Sequence, residues 1–246
     1  MNIPTDIKGL IFDYGGTLDT GGCHWGKMIW HAYEHCKVPV DETLFRDAYV
    51  FAERELARNP IIKPDFTFHQ TLSAKIRIEM EYIEGKQEGF VASHWHEAVV
   101  EHLYAATKAE TQRSSEVLKV LKERYPMVLV SNFYGNIATV LAEFGFDGIF
   151  QHIVESAVVG VRKPDPRIFT LGVEALGMLA SEVIVVGDSY DKDIVAAKKA
   201  GCHTVWIKGE GWTDDEPDGE AADWVIGRIE DCEADERRRI IEGLKD

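Results

Sequence analysis

The chain has 246 residues, 45% hydrophobic and 28% charged, with 42 acidic against 27 basic side chains and a formal net charge of −15. That balance fits a globular protein of one large domain, or a core plus a smaller one, and it argues against duplex nucleic acid or an anionic membrane as a partner, because both would be repelled. No run of 18 apolar residues occurs, Met1-Asn2-Ile3-Pro4 is no signal sequence, and Cys23, Cys36, Cys202 and Cys232 lack paired spacing, so reduced thiols in a cytoplasmic protein are expected. An anionic ligand must therefore be drawn by a local positive site.

Ile7-Lys8-Gly9-Leu10-Ile11 reads as a short buried strand. It runs into Phe12-Asp13-Tyr14-Gly15-Gly16-Thr17-Leu18, where a carboxylate is followed by two glycines that turn the backbone. The rhythm then changes for some ninety positions. Trp25, Met28, Ile29, Ala32, Tyr33 and Cys36 recur at helical spacing. Asp41 is an expected N-cap for a helix through Leu44, Phe45, Ala48, Tyr49, Ala52 and Leu56. Beyond Pro60 and Pro64, Phe68, Leu72, Ile76, Met80 and Ile83 form a third stripe. Val91, Trp95, Ala98, Val99, His102 and Leu103 form a fourth. Four such helices with no strand between them predict a helical bundle spanning residues 20–110. His94-Trp95-His96 is not read as a metal site, because residues two apart on a helix point to different sides.

From Thr111 the pattern alternates helix and strand. Ser114 or Ser115 is expected to cap a helix through Arg124, and Pro126 to Val130 reads as a strand ending at Ser131-Asn132. A helix Ile137 to Phe144 stops at Gly145, and Ile149 to Val154 is a further strand. Lys163-Pro164-Asp165-Pro166 opens a helix closed by Gly177. Val183 to Val186 is the most apolar strand and ends at Gly187-Asp188. Asp193 is expected to cap a helix closed by Gly201. Thr204 to Ile207 and Asp223 to Ile226 are short strands, separated by an acidic solvated turn at Asp214 to Asp218. The expectation is α/β: a Rossmann-like, doubly wound parallel sheet built from residues 1–19 and 111–246, with the helical bundle inserted after its first strand.

In a parallel sheet Asp13, Ser131 and Asp188 share one edge, where open α/β folds place ligands. Asp13 and Asp188 make a hard oxygen site suited to Mg²⁺. The hydroxyl and amide of Ser131-Asn132, with Lys163, suit phosphate oxygens. Such a set favours attack of Asp13 on phosphorus, since phosphoryl transfer needs mainly positioning and charge neutralisation. Each residue also has a plainer reading. Asp13 would otherwise be a loop aspartate, Lys163 a solvated lysine, and Asp188 and Asp193 helix caps. The four stretches together outweigh these readings, although Asp193 is expected to act as a cap as well.

With these residues in view, the sequence resembles the haloacid dehalogenase superfamily of hydrolases with a helical cap of the C1 type. The resemblance rests on Asp13-Tyr14-Gly15-Gly16-Thr17-Leu18, Ser131-Asn132, Arg162-Lys163-Pro164-Asp165-Pro166 and Gly187-Asp188-Ser189-Tyr190-Asp191-Lys192-Asp193, in family order across the whole core. It implies Mg²⁺-dependent hydrolysis of a small phosphorylated metabolite through an aspartyl-phosphate on Asp13. Ser131 and Lys163 would hold the transferring group. Asp13, the Gly15 carbonyl and Asp188 would ligate the metal, with Asp193 in support. Gly16, Asn132 and His24 complete the candidate substrate-binding set, and a monomer or homodimer is expected.

One position departs from the family pattern. The phosphatases carry a second Asp two residues past the nucleophile, which protonates the leaving group, and here Gly15 stands there. His24 is a candidate substitute, its plainer reading being a partly exposed hinge histidine. An alternative is a carbon–phosphorus hydrolase resembling phosphonoacetaldehyde hydrolases, using Lys27, Lys37, Lys63 or Lys75 from the cap. A phosphoryl-ligand-binding protein with weak turnover is a non-enzymatic alternative. Carbon–halogen hydrolysis ranks below both, because that branch has Tyr where Gly15 stands.

Overall fold

The computed structural model describes residues 6–213 and 217–232. The Met1–Pro4 segment and Asp214 to Glu216 of the acidic turn lie outside the described residues. Six strands form one all-parallel sheet in the order β3-β2-β1-β4-β5-β6: β1 Gly9–Phe12, β2 Met127–Ser131, β3 His152–Glu155, β4 Val183–Gly187, β5 His203–Ile207 and β6 Trp224–Ile226. β1, β2 and β4 are buried along their whole length, as continuous apolar runs covered on both faces must be.

Alternate residues of the central strands feed two separate cores. Leu10, Phe12, Leu129, Ile184 and Val186 pack with the end of α4 (His96–Leu121) and with α5 (Ile137–Glu143). Ile11, Val128, Val130, Val183 and Val185 pack with α7 (Arg167–Leu176) and α8 (Ala196–Lys199). Period-two alternation thus builds a helix–sheet–helix sandwich.

Between β1 and β2 the chain forms the helical cap: α1 Trp25–His35, α2 Glu42–Arg58, α3 Phe68–Glu84 and the first half of α4. Asp41 caps α2 as expected, its carboxylate accepting from the Leu44 N–H at 2.8 Å. A capping box of Thr67 and Gln70 starts α3. Ile29, Tyr33, Phe45, Ile76, Met80, Ile83, Val99 and Leu103 fill the bundle interior and are almost completely buried. Truncating one of the aromatic members, Phe45→Ala, would cost about 3–5 kcal/mol. No described helix is long and apolar enough to cross a membrane, and Cys23, Cys36 and Cys202 form no disulfide.

Four expectations are corrected. Neither Ser114 nor Ser115 caps a helix. α4 runs unbroken through both, and the expected boundary at residue 111 falls inside it. Their hydroxyls instead donate to the carbonyls of Leu18 (2.8 Å) and Gly145 (3.3 Å). Lys163 does not open a helix. It lies in a loop with a cis Lys163–Pro164 peptide, and α7 begins at Arg167. Asp193 is no N-cap either, because it lies inside a wide π-type turn, Tyr190–Val195, that precedes α8. β3 starts three residues later than expected and is followed by the unforeseen short helix α6, Ser156–Val159. His94 ends a 3-10 turn and His96 begins α4. The His96 ring is held by Ser73, with Nε2 2.9 Å from its carbonyl.

Candidate active site

The parallel strands deliver three residues to one edge of the sheet. Asp13 follows β1, and its N–H donates to the Val186 carbonyl at 3.0 Å. Ser131 ends β2 and Asp188 follows β4. Lys163 enters from its loop and is buried, with Nζ 2.5 Å from Asp13 Oδ1 and 2.7 Å from Asp193 Oδ1. Burial opposes a charged lysine, but the two carboxylates more than offset it and raise its pKa.

Thr17 ties the loop after β1 to the loop after β4. Its hydroxyl accepts from the Asp188 N–H at 3.0 Å and lies 3.0 Å from Asp188 Oδ1 and 3.3 Å from Asp13 Oδ2. The Asp188 carbonyl accepts from Trp206 Nε1 at 2.8 Å. Gly16 adopts φ +99°, and any Cβ there would collide with the Asp188 carboxylate. A residue that allows the left-handed turn and the close approach is required.

Carboxylate oxygens of Asp13, Asp188 and Asp193 lie within 4.8 Å of one another. Burial pushes Asp193 up to about 6, with Lys163 pulling it down and Asp13 pushing it up. Burial, with Asp193 and Asp13 nearby, holds Asp188 well above the ordinary carboxylate range. Negative charge is therefore in excess at this point, and the donor set is hard oxygen. Both features fit a divalent cation such as Mg²⁺.

Asn132 is in the cavity, but its side chain is partly committed elsewhere. Its Nδ2 donates to the Lys163 carbonyl at 3.2 Å and its Oδ1 accepts from the Lys163 N–H at 3.0 Å. It fixes the Lys163 loop, and its second Nδ2–H is left for a ligand in the cavity. The Ser131 hydroxyl lines the cavity and makes no hydrogen bond within the described residues.

His24 is the N-cap of α1, and its Nδ1 accepts from the Gly26 N–H at 3.0 Å. Burial, with Lys192 and Lys75 adding to it, lowers its pKa to about 4. It lines the cavity as a neutral ring with one nitrogen already occupied, which makes it a poor proton donor to a leaving group near neutral pH.

A cavity lies between core and cap, open to solvent on one side. The sequence did not single out several groups that line it. Asp19 accepts from the Gly16 N–H (2.7 Å) and from Trp25 Nε1 (3.1 Å). Burial pushes it up to about 8, against the pull of those two bonds. Its place six residues past Asp13 was the only available signal. Glu53, Tyr49 and Tyr134 also line the cavity, together with Lys75, while Arg162 and Lys192 stand exposed at its rim. The last two supply local positive charge on an acidic protein.

Residues 7–201 match the family described as haloacid dehalogenase-like hydrolase. A phosphoglycolate phosphatase from Aliivibrio fischeri is 24% identical over 225 residues, covering 87% of this chain and 91% of that one. A glyceraldehyde 3-phosphate phosphatase from Methanopyrus kandleri is 39% identical over 90 residues, 36% of this chain and 39% of its own. Among solved structures, a dehalogenase with an intermediate complex aligns at TM-score 0.61 and 17% identity, over 94% of this chain and 97% of the other. A magnesium-bound structure of Bacillus subtilis YfnB aligns at TM-score 0.58 and 16% identity, over 92% and 96%. The matched segment holds Asp13, Ser131, Lys163, Asp188 and Asp193 on a sheet of the family's kind, and the chain belongs to the haloacid dehalogenase-like hydrolases.

Proposed function

We propose that this hydrolase is a Mg²⁺-dependent phosphatase for a small phosphorylated metabolite, working through an aspartyl-phosphate on Asp13. The observation that carries the reading is the convergence on Asp13. Lys163 lies at 2.5 Å, the Ser131 hydroxyl has no partner among the described residues, and the Asp188 and Asp193 carboxylates stand within 4.8 Å. Asp13, Asp188 and the Gly15 carbonyl would hold the metal, with Asp193 in support. When bound, Mg²⁺ would screen the charge of the phosphoryl group. The phosphatase names of the relatives, phosphoglycolate and glyceraldehyde 3-phosphate among them, support the reaction class.

Asp13 Oδ attacks phosphorus, the bond to the leaving oxygen breaks, and water later cleaves the acyl phosphate. Lys163 neutralises charge on the transferring oxygens and Ser131 donates to one of them. Lys163 also orients Asp13 before substrate arrives. Gly15 stands where the family's phosphatases carry the acid, so the leaving group receives no proton from that position. His24 is neutral and capped. We infer a chemical step that is slow for alkyl esters and faster for leaving groups that need no proton.

The carbon–phosphorus reading requires a neutral cap lysine to attack a carbonyl. Lys75 is the cap lysine that lines the cavity, and its ion pair with Glu53 holds it protonated, its pKa raised well above the usual value. That counts against an iminium mechanism at this residue.

The test is phosphate release from a panel of phosphomonoesters and acyl phosphates, with and without Mg²⁺. Wild type should release phosphate only with the metal, and Asp13→Asn should release none. Activity that survives Asp13→Asn would remove the nucleophile from this account. Tight phosphoryl-ligand binding without release would favour a binding protein instead.

A further inference from the structure

The cap carries a charged pair that its own stability does not explain. Glu53 on α2 and Lys75 on α3 are ion-paired through Glu53 Oε1. The Tyr134 hydroxyl, from the core loop after β2, donates to the same oxygen at 3.2 Å. Lys75 Nζ lies 4.5 Å from the centre of the Tyr49 ring. The Lys75 side chain is only 9% exposed, and Glu53 is 31% exposed. Taking two charges out of water is commonly no more stabilising than packing apolar groups of the same shape. All four residues line the cavity that also holds Asp13. A charged, perturbed cluster in the cleft of an enzyme points to ligand recognition.

One hydrogen-bonding position of this cluster is open. Glu53 Oε2 has no partner among the described residues, and Glu53 lines the cavity. Glu53 and Lys75 cancel one another's charge, and Arg162 at the cavity rim adds a positive charge beside Glu53. An anionic group would meet the open carboxylate oxygen, and an ammonium group would compete with Lys75. A hydroxyl suits both partners, donating its proton to Oε2 and accepting from Lys75 Nζ. The faces of Trp25, Tyr49 and Phe68 on the same cavity suit the C–H surface of a carbon skeleton.

Resting on the phosphatase reading above, we propose that Glu53 and Lys75 form a hydroxyl-recognising subsite, so that the leaving alcohol of the substrate is a polyol or sugar with a free hydroxyl. Tyr134 belongs to the core and Glu53 to the cap, so the subsite is complete only when the two meet.

The test compares four substrates on the Mg²⁺-loaded protein: n-propyl phosphate, glycerol 3-phosphate, phosphoglycolate and p-nitrophenyl phosphate. Wild type should show kcat/KM about tenfold or more higher for glycerol 3-phosphate than for n-propyl phosphate, with phosphoglycolate lowest, the size of one hydrogen bond to a charged group. The double variant Glu53→Leu/Lys75→Met keeps the volume and removes both charges. It should lose the hydroxyl preference, bringing kcat/KM for glycerol 3-phosphate to within about threefold of that for n-propyl phosphate. If the double variant does not fold, Glu53→Gln, which keeps the shape, should reduce the same preference. Equal losses on all four substrates would mean a structural role and overturn the proposal. So would a wild type that favours n-propyl phosphate or phosphoglycolate. Silence on all four substrates, p-nitrophenyl phosphate included, would remove the phosphatase reading and the subsite with it.

Discussion

Gly15→Asp restores a carboxyl at the position where the family's phosphatases keep their acid. Gly15 has no left-handed backbone. A Cβ there would meet nothing closer than Cδ1 and Nε1 of Trp25, each at 3.8 Å, which is ordinary contact. The neighbouring Gly16 could not take the change, since its Cβ would strike Asp188. The new carboxyl would enter a site already holding Asp13 and the buried Asp19, so it should keep its proton near neutral pH, as a general acid must. Acid–base help is worth about 10²- to 10⁴-fold, or about 2.7–5.4 kcal/mol of barrier. The assay is kcat for n-propyl phosphate against p-nitrophenyl phosphate, whose leaving group departs as a stable anion. Gly15→Asp should raise the first at least about 100-fold and the second by less than about tenfold. An equal rise in both, or no rise in either, would refute the idea that a missing proton donor limits the wild type.

Metal-free stability should fall between pH 6.5 and 8.5. Glu79 and Asp19 are fully buried, and burial holds both at about 8. The folded state therefore keeps protons that the unfolded state has already lost. The stability they contribute is complete below the unfolded pKa and disappears as pH rises through about 8. Each group should give a decline on the order of 1–2 kcal/mol across that interval, and Glu79→Gln should flatten it, as read by denaturant melts at each pH. Mg²⁺ should raise the melting temperature of wild type, by the equivalent of about 2.7 kcal/mol at a hundred times Kd, and scarcely that of Asp188→Asn. Gly172→Ala should destabilise by about 1–3 kcal/mol, because a Cβ at this point of α7 would lie 2.9 Å from Ile11 Cδ1 and Val130 Cγ2 on the sheet. Urea denaturation measures it, and an unchanged midpoint would mean the helix can lift.

The sheet and the gathering of Asp13, Ser131 and Asp188 at one of its edges were legible because the same physics writes both. Strands buried on two faces must be apolar throughout, as β1, β2 and β4 are, and parallel strands put the polar residue ending each run on one edge. Local signals failed where tertiary contacts overrode them. Ser114 and Ser115 look like caps, but their hydroxyls are used by Leu18 and Gly145, residues distant in sequence. Nothing local to Asn132 shows that its amide also holds the Lys163 backbone through both its oxygen and its nitrogen. Glu53 was invisible as a site residue, since a glutamate on an amphipathic helix reads as solvent-facing. Only the packing of α2 against α3 and the approach of Tyr134 turn it inward.

The two chain crossings between core and cap are mechanically unlike. One is the loop after Asp19, where Gly21 and Gly22 take positive φ. The other is α4, a single helix of 26 residues, about 39 Å long, whose first half belongs to the bundle and whose second half lies against the sheet. The first crossing is a tight loop pinned by the Gly22 N–H on the Gly16 carbonyl at 2.6 Å and the His24 N–H on the Glu210 carbonyl at 2.8 Å, whereas the second is one continuous helical beam. The Ser114 hydroxyl joins that beam to the Leu18 carbonyl, five residues beyond Asp13. The helix that leaves the cap is thereby tied into the same loop that carries Asp13.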